Sequence, residues 1–228
     1  FMKAIEVITF GSNLLRKNKI PSHILDSELL LSKTLNKSRE KILTNLDQKL
    51  SKKDISIFQE YLIRRSNHEP IAYILKEKEF WSKKFFVSKD TLIPRPETEL
   101  LVDSLSKIYK DKKVSILDIG TGTGCIILSL LMDLRYSTGV GVDVSKKAIL
   151  IAKKNAEMHE LSRRVKFLNK PFQHVSEKKF DLVVSNPPYI MRKDLRNLSD
   201  DIRRYEPRMA LDGGNDGLDL IKKVIYKS

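Results

Sequence analysis

Asp118-Ile119-Gly120-Thr121-Gly122-Thr123-Gly124 follows the apolar run 114–119 and leads into a second apolar stretch, 125–134. An apolar run that breaks into glycines and resumes at helical spacing reads as strand, turn and helix. The glycines permit unusual φ angles and let a ligand approach the backbone closely. A dinucleotide fingerprint, G-x-G-x-x-G/A, would put Cys125 where Gly or Ala belongs, and no Gly-Lys-Ser/Thr follows as a phosphate loop requires. Outward from this loop, strand and helix patterns alternate: strand 139–144, helix 145–158, strand 165–168 and strand 181–185. That alternation predicts an α/β, Rossmann-like domain whose parallel sheet carries helices on both faces. Ligands of such sheets bind outside the carboxyl ends of the strands, at the topological switch point.

Two features fall on those carboxyl ends. Gly141-Val142-Asp143 puts a carboxylate at the end of the second strand, able to accept from both ribose hydroxyls of a nucleoside. With Asp118 and the alternate glycines, this suits a nucleoside that carries an amino-acid tail and no pyrophosphate, which describes S-adenosylmethionine. The fourth strand runs into Asn186-Pro187-Pro188-Tyr189. Two prolines supply no N–H and leave the sheet as a stiff segment with available carbonyls. An asparagine before them and an aromatic ring after them can grip a planar –NH2 group, although the same four residues also suit a strand terminator with a packing tyrosine. Cys125, the first apolar residue of the helix, reads as core rather than nucleophile. His23, His68, His159 and His174 form no ligand spacing, so no metal site is expected.

The chain has 228 residues, 41% of them hydrophobic, which is enough for a substantial core. A single cysteine rules out an internal disulfide framework and points to the cytoplasm. No run approaches the ~18 apolar residues that span a membrane, and the start Phe1-Met2-Lys3-Ala4-Ile5-Glu6 lacks the apolar block of a signal peptide. The net charge of +14, from 43 basic and 29 acidic residues, favours an anionic partner, but the lysines are scattered as on a solvated surface. Residues 1–70 read as helices only, with apolar faces at Ile24, Leu25, Leu29 and Leu30 and again at Ile55, Phe58 and Leu62. Residues 71–93 read as a β-hairpin linker made of short pieces, Ala72-Tyr73-Ile74-Leu75, Glu79-Phe80-Trp81 and Phe85-Phe86-Val87. Residues 94–228 form the α/β domain, opened by a helix with Pro96 and acid in its first turn.

Glu69-Pro70-Ile71-Ala72-Tyr73-Ile74, Leu92-Ile93-Pro94-Arg95-Pro96-Glu97-Thr98-Glu99, the 118–124 loop and Val184-Ser185-Asn186-Pro187-Pro188-Tyr189-Ile190 together resemble the release-factor glutamine N5-methyltransferases, the PrmC or HemK family. Glu206-Pro207, Ala210-Leu211, Gly213-Gly214 and Asp216-Gly217-Leu218 extend the resemblance over nearly the whole chain. It implies a class I methyltransferase domain with a helical substrate-recognition domain at the amino end. It also implies transfer of a methyl group from S-adenosylmethionine, with S-adenosylhomocysteine as product, to the glutamine of the Gly-Gly-Gln motif in peptide-chain release factors.

By this resemblance Asn186, Pro187 and Tyr189 are catalytic, and Pro188 and Glu206 join them in binding the substrate. Asp118, Gly120, Thr121, Gly122, Gly124, Asp143 and Asn186 hold the cofactor, Pro94 and Arg95 close over it, and Asn169 and Phe172 are candidates for the adenine. For Glu206 a structural role is preferred to that of a base, on the ground that charged loop residues usually face water. A monomer is expected, with no membrane and no requirement for direct nucleic-acid contact. The neighbouring alternatives are a ribosomal-protein glutamine and an exocyclic amine in nucleic acid. The family continues past Ser228 with further strands, so C-terminal strands are expected to be missing.

Overall fold

The computed structural model describes residues 2–175 and 179–227, and divides into two compact units, 1–75 and 76–228. Ser228 lies outside the described residues. In the first unit the order is β1 (Met2–Lys3), α1 (Ala4–Lys17), α2 (His23–Leu35), α3 (Arg39–Leu43), β2 (Lys49–Leu50), α4 (Lys52–Ser66) and α5 (Ile71–Leu75). Leu15, Leu30, Leu31, Ile42, Phe58 and Leu62 are buried in its core. Gly11 lets α1 close on its neighbours, because a Cβ there would stand 2.5 Å from Ser27 Oγ and 2.7 Å from Phe58 Cζ. Arg65 donates to Asp26 across 2.7 Å with both side chains buried, tying α4 to α2. The stretch Ala72 to Leu75, expected as a strand, is helical. Pro70 starts the turn, its carbonyl accepting from the N–H groups of Tyr73 and Ile74, and five residues are too few for periodicity to separate the two forms.

The second unit opens with a hairpin, β3 (Glu77–Phe80) paired antiparallel with β4 (Lys83–Phe86). Its two turn residues, Trp81 and Ser82, both sit at φ 53°, a geometry that usually selects Asn-Gly. Tertiary bonds hold it in place. The Trp81 N–H donates to Glu99 Oε1 at 2.9 Å and its indole N–H to Asp133 Oδ2 at 3.1 Å.

There follow a 3₁₀ turn over Pro96–Thr98, then α6 (Glu99–Ile108), β5 (Ser115–Ile119), α7 (Cys125–Asp133), β6 (Thr138–Asp143), α8 (Lys146–Met158), β7 (Val165–Asn169), β8 (Leu182–Ser185), α9 (Asp200–Tyr205) and α10 (Asp219–Lys227). The four strands β5 to β8 make one parallel sheet in the order β7-β6-β5-β8. Ile116, Ile127, Leu128, Leu130, Leu131 and Ala152 pack the core between sheet and helices. The expected Rossmann-like α/β architecture is therefore present. Its strand order reverses between β5 and β8, so the loops after these two strands flank the switch point.

Candidate functional site

Register aligns the candidate residues along the carboxyl edge of the sheet. Ile119 pairs with Val142 on one side and with Ser185 on the other, and Asp143 pairs with Asn169. One residue further along come Asp143, the last residue of β6, and Gly120 and Asn186, the first residues past β5 and β8. Two inter-strand spacings of about 4.8 Å separate the outer pair by roughly 10 Å. Ser185 Oγ fixes the β8 end by donating to the Ile119 carbonyl at 2.8 Å.

The three residues line a cavity of about 440 Å³, the size of a small-molecule site. Pro94, Arg95, Thr121, Gly122 and Phe172, all expected at the cofactor, line it as well. Gly120 has φ 71°, and a Cβ there would meet no protein atom within 4 Å. The loop thus leaves open the space that a ligand needs. Asp143 accepts from Gly122 N–H through Oδ2 at 3.0 Å and from Ser145 N–H through Oδ1 at 2.8 Å. An ionised carboxylate has about four acceptor positions, so two remain for ribose hydroxyls. The donors and acceptors present fit a nucleoside with an amino-acid tail.

Asp118 is buried at the end of β5. Its Oδ2 accepts from the Thr121 hydroxyl at 2.6 Å, while Oδ1 has no partner at hydrogen-bonding geometry. Burial pushes its carboxyl from 3.8 up to about 7, and the Thr121 hydroxyl and the nearby Ile127 N–H act in the opposite direction. The unfolded chain releases this proton near pH 3.8 and the folded one near 7, so between these values the folded state binds more protons. The stability so contributed is full below about pH 4 and is lost as the pH rises through 7. Asp118→Asn should accordingly gain stability relative to the parent between pH 5 and 8, by on the order of 3 kcal/mol. Urea unfolding at several pH values checks this, and parallel pH profiles for the two proteins would contradict it. Burial also pushes the Cys125 thiol up to about 12, and the side chain packs partly buried against the core where it borders the cavity.

Asn186 is half-buried. Its Nδ2 donates to Thr98 Oγ1 at 3.4 Å, which leaves Oδ1 for an incoming donor. Thr98, a contact the sequence did not suggest, sits in the 3₁₀ turn after Arg95 and also lines the cavity. Pro187 and Pro188 line the cavity beside Asn186. Tyr189 does not. It is 64% exposed and borders a smaller adjoining hollow of about 120 Å³, shared with Asn186, Pro187, Ile202 and Leu211. The backbone beyond it is held by the 211–214 loop, where Ile190 N–H donates to the Leu211 carbonyl and Gly213 N–H to the Ile190 carbonyl.

Further expectations change. Asp118 and Gly124 do not border the cavity, and a Cβ at Gly124 would meet Leu128, Phe167 and Ala152 in the core. Asn169 spends both amide hydrogens on the carbonyls of Asp143 and Val144, at 3.0 and 2.9 Å, and does not border the cavity. Its position is set by backbone carbonyls nearby, and Phe172 remains the candidate for adenine. Glu206 does not face water but is buried at 6% exposure, because both of its oxygens are claimed. Oε2 accepts from Ile93 N–H at 3.1 Å and Oε1 from Arg95 Nη2 at 2.6 Å, so Glu206 clamps the 93–95 segment that walls the cavity. Glu206→Ala would leave a guanidinium and an N–H without their partner, and should cost about 3 kcal/mol of stability in urea unfolding. A loss below ~1 kcal/mol would mean that water replaces the carboxylate readily.

Among the described residues no cluster of His, Cys, Asp and Glu could hold a metal, and no helix is long and apolar enough to cross a membrane.

Residues 6–75 match the family model of the PrmC N-terminal domain, and residues 89–203 that of the methyltransferase small domain. The release factor glutamine methyltransferase of Geobacter sulfurreducens is 37% identical over 220 residues, which cover 96% of this chain and 77% of that one. The bifunctional methyltransferase of Rickettsia conorii is 36% identical over 239 residues, covering 93% of this chain but 46% of its own length. The chain therefore spans about half of the one relative and about three quarters of the other. Of solved structures, the hMettl16 catalytic domain in complex with the MAT2A 3'UTR hairpin 6 superposes with a TM-score of 0.54 at 20% identity, over 74% of this chain and 63% of that one. The likeness is one of fold.

Proposed function

The chain belongs to the release factor glutamine methyltransferase family, and from that membership we propose that it methylates the side-chain amide nitrogen of the glutamine in the Gly-Gly-Gln motif of release factors, in the cytoplasm. S-adenosylmethionine, bound in the 440 Å³ cavity, would supply an electrophilic methyl group on sulfur and leave as S-adenosylhomocysteine. The observation that carries this reading is the alignment of Asp143, Gly120 and Asn186 along one carboxyl edge. Asp143 would take the ribose hydroxyls, and the open backbone at Gly120 would admit the amino-acid tail.

Asn186 Oδ1 and the Pro187 carbonyl would accept the two N–H hydrogens of the substrate amide. An amide nitrogen is a poor nucleophile because its lone pair is delocalised into the carbonyl. As it attacks, conjugation is lost and positive charge develops on nitrogen, so acceptors fixed at its hydrogens stabilise the transition state more than the ground state. Transfer would form the nitrogen–carbon bond as the methyl–sulfur bond breaks, and the nitrogen would then shed a proton to water. A strong base is not required, which is consistent with the engagement of both Glu206 oxygens elsewhere. Positioning of nucleophile and methyl group can supply ~7–11 kcal/mol of the acceleration. Tyr189 would border the substrate from the smaller hollow, and the helical unit would recognise the release factor.

The test is to incubate the protein with labelled S-adenosylmethionine and, in parallel, a release factor, its Gly-Gly-Ala variant, ribosomal proteins and DNA. Label should enter the unaltered release factor alone. Incorporation that survives the Gln→Ala change, or that favours DNA or a ribosomal protein, would overturn the assignment.

A further inference from the structure

Asn155, in α8, is a fully buried polar side chain to which the chemistry above gives no task. It makes three hydrogen bonds. Its Oδ1 accepts from Phe86 N–H at 2.7 Å, and its Nδ2 donates to the carbonyls of Phe86, at 3.0 Å, and of Thr123, at 2.9 Å. Phe86 ends the hairpin strand β4. Thr123 belongs to the glycine loop, where Gly122 N–H is held by Asp143 and Gly124 N–H by the Thr121 carbonyl at 2.7 Å. The loop is thus tied to β6 through Gly122 and to α8 through Thr123.

A stretch with three glycines in seven residues is cheap to distort, so the bonds made to it from outside decide which shape it keeps. We propose that Asn155 is a positioning residue of the cofactor loop, and that by bonding Phe86 and Thr123 together it makes the hairpin part of that loop's support. The inference rests on the cofactor reading given above. It attributes to Asn155 a share of cofactor affinity beyond its share of stability, since a loop held in its binding shape pays less ordering cost when the ligand arrives.

Asn155→Asp keeps an acceptor for Phe86 N–H but turns a carboxyl oxygen toward two carbonyls. Calorimetry with S-adenosylhomocysteine should show affinity reduced about tenfold, the worth of one net buried hydrogen bond. The KM for S-adenosylmethionine should rise in step, with kcat at saturating cofactor within about threefold of the parent. Leu161→Ala, which removes a buried side chain just beyond α8 and outside the glycine loop, provides a protein of reduced Tm for comparison. It should bind S-adenosylhomocysteine within about twofold of the parent, because its cost falls on the core. Should Asn155→Asp not fold, Asn155→Ser carries the same comparison. Unchanged affinity in the Asn155 variant, or an equal loss in Leu161→Ala at matched Tm, would make Asn155 a core residue only and overturn the proposal. Absence of binding in the parent would instead overturn the cofactor reading, and this inference with it.

Discussion

Asn186→Ala is expected to lower kcat/KM for glutamine methylation by about a hundred- to a thousandfold, the usual loss when one preorganised polar partner of a developing charge is removed. The side chain is held in place, since its Nδ2 donates to Thr98 Oγ1 and its backbone follows directly on the β8 residue paired with Ile119. Alanine removes the Oδ1 acceptor while leaving the Pro187 carbonyl, so some transfer should persist. Binding of S-adenosylhomocysteine should stay within about threefold, because the proposed ribose and tail contacts belong to the ends of β5 and β6. Counting labelled methyl groups on a release factor measures the first quantity and calorimetry the second. Turnover within tenfold of the parent would remove Asn186 from the chemistry. A collapse of cofactor affinity would reassign it to the cofactor site.

Asp143→Ala should have the opposite signature. Two hydrogen bonds from ribose hydroxyls to a carboxylate, at about 1.5 kcal/mol or more each, correspond to a loss of cofactor affinity of about a hundredfold. The same carboxylate holds Gly122 N–H and Ser145 N–H, so the substitution also loosens the glycine loop and the start of α8. At saturating S-adenosylmethionine kcat should recover most of its value. A kcat that stays low at saturation would show that the loop's shape, rather than ribose binding, is what Asp143 supplies.

The parts of this site that could be read from the sequence are those whose residues impose a backbone conformation on their own. Gly120 and Gly122 announce a turn open to a ligand, and Pro187-Pro188 announce the end of a strand, whatever surrounds them. Alternating strand and helix patterns then carry these turns to one edge of a sheet. What escaped the sequence depends on partners far along the chain. The Asn186–Thr98 contact spans 88 positions, and the bonds from Asn155 to Phe86 span 69. The resemblance makes Asn169 a candidate adenine contact, but nearby carbonyls take its amide hydrogens. Glu206 was read as facing water because a charged loop residue usually does, and only the placement of Ile93 and Arg95 makes it buried. The helix α5 was missed for another reason: a five-residue apolar run carries too little pattern to choose between helix and strand.

The clamp between Glu206 and Ile93 joins residues 113 apart in sequence. Closing a loop of that length costs more entropy than pairing β5 with β6, where partners such as Leu117 and Val140 lie much closer in sequence. The part of the sheet edge bearing Gly120 and Asp143 can therefore assemble before this wall of the cavity is in place. During synthesis the protein would carry this candidate cofactor edge for some time before it could enclose a ligand. Pulsed amide exchange during refolding should therefore protect Leu117 before Ile93, and simultaneous protection would mean that edge and wall form as one unit.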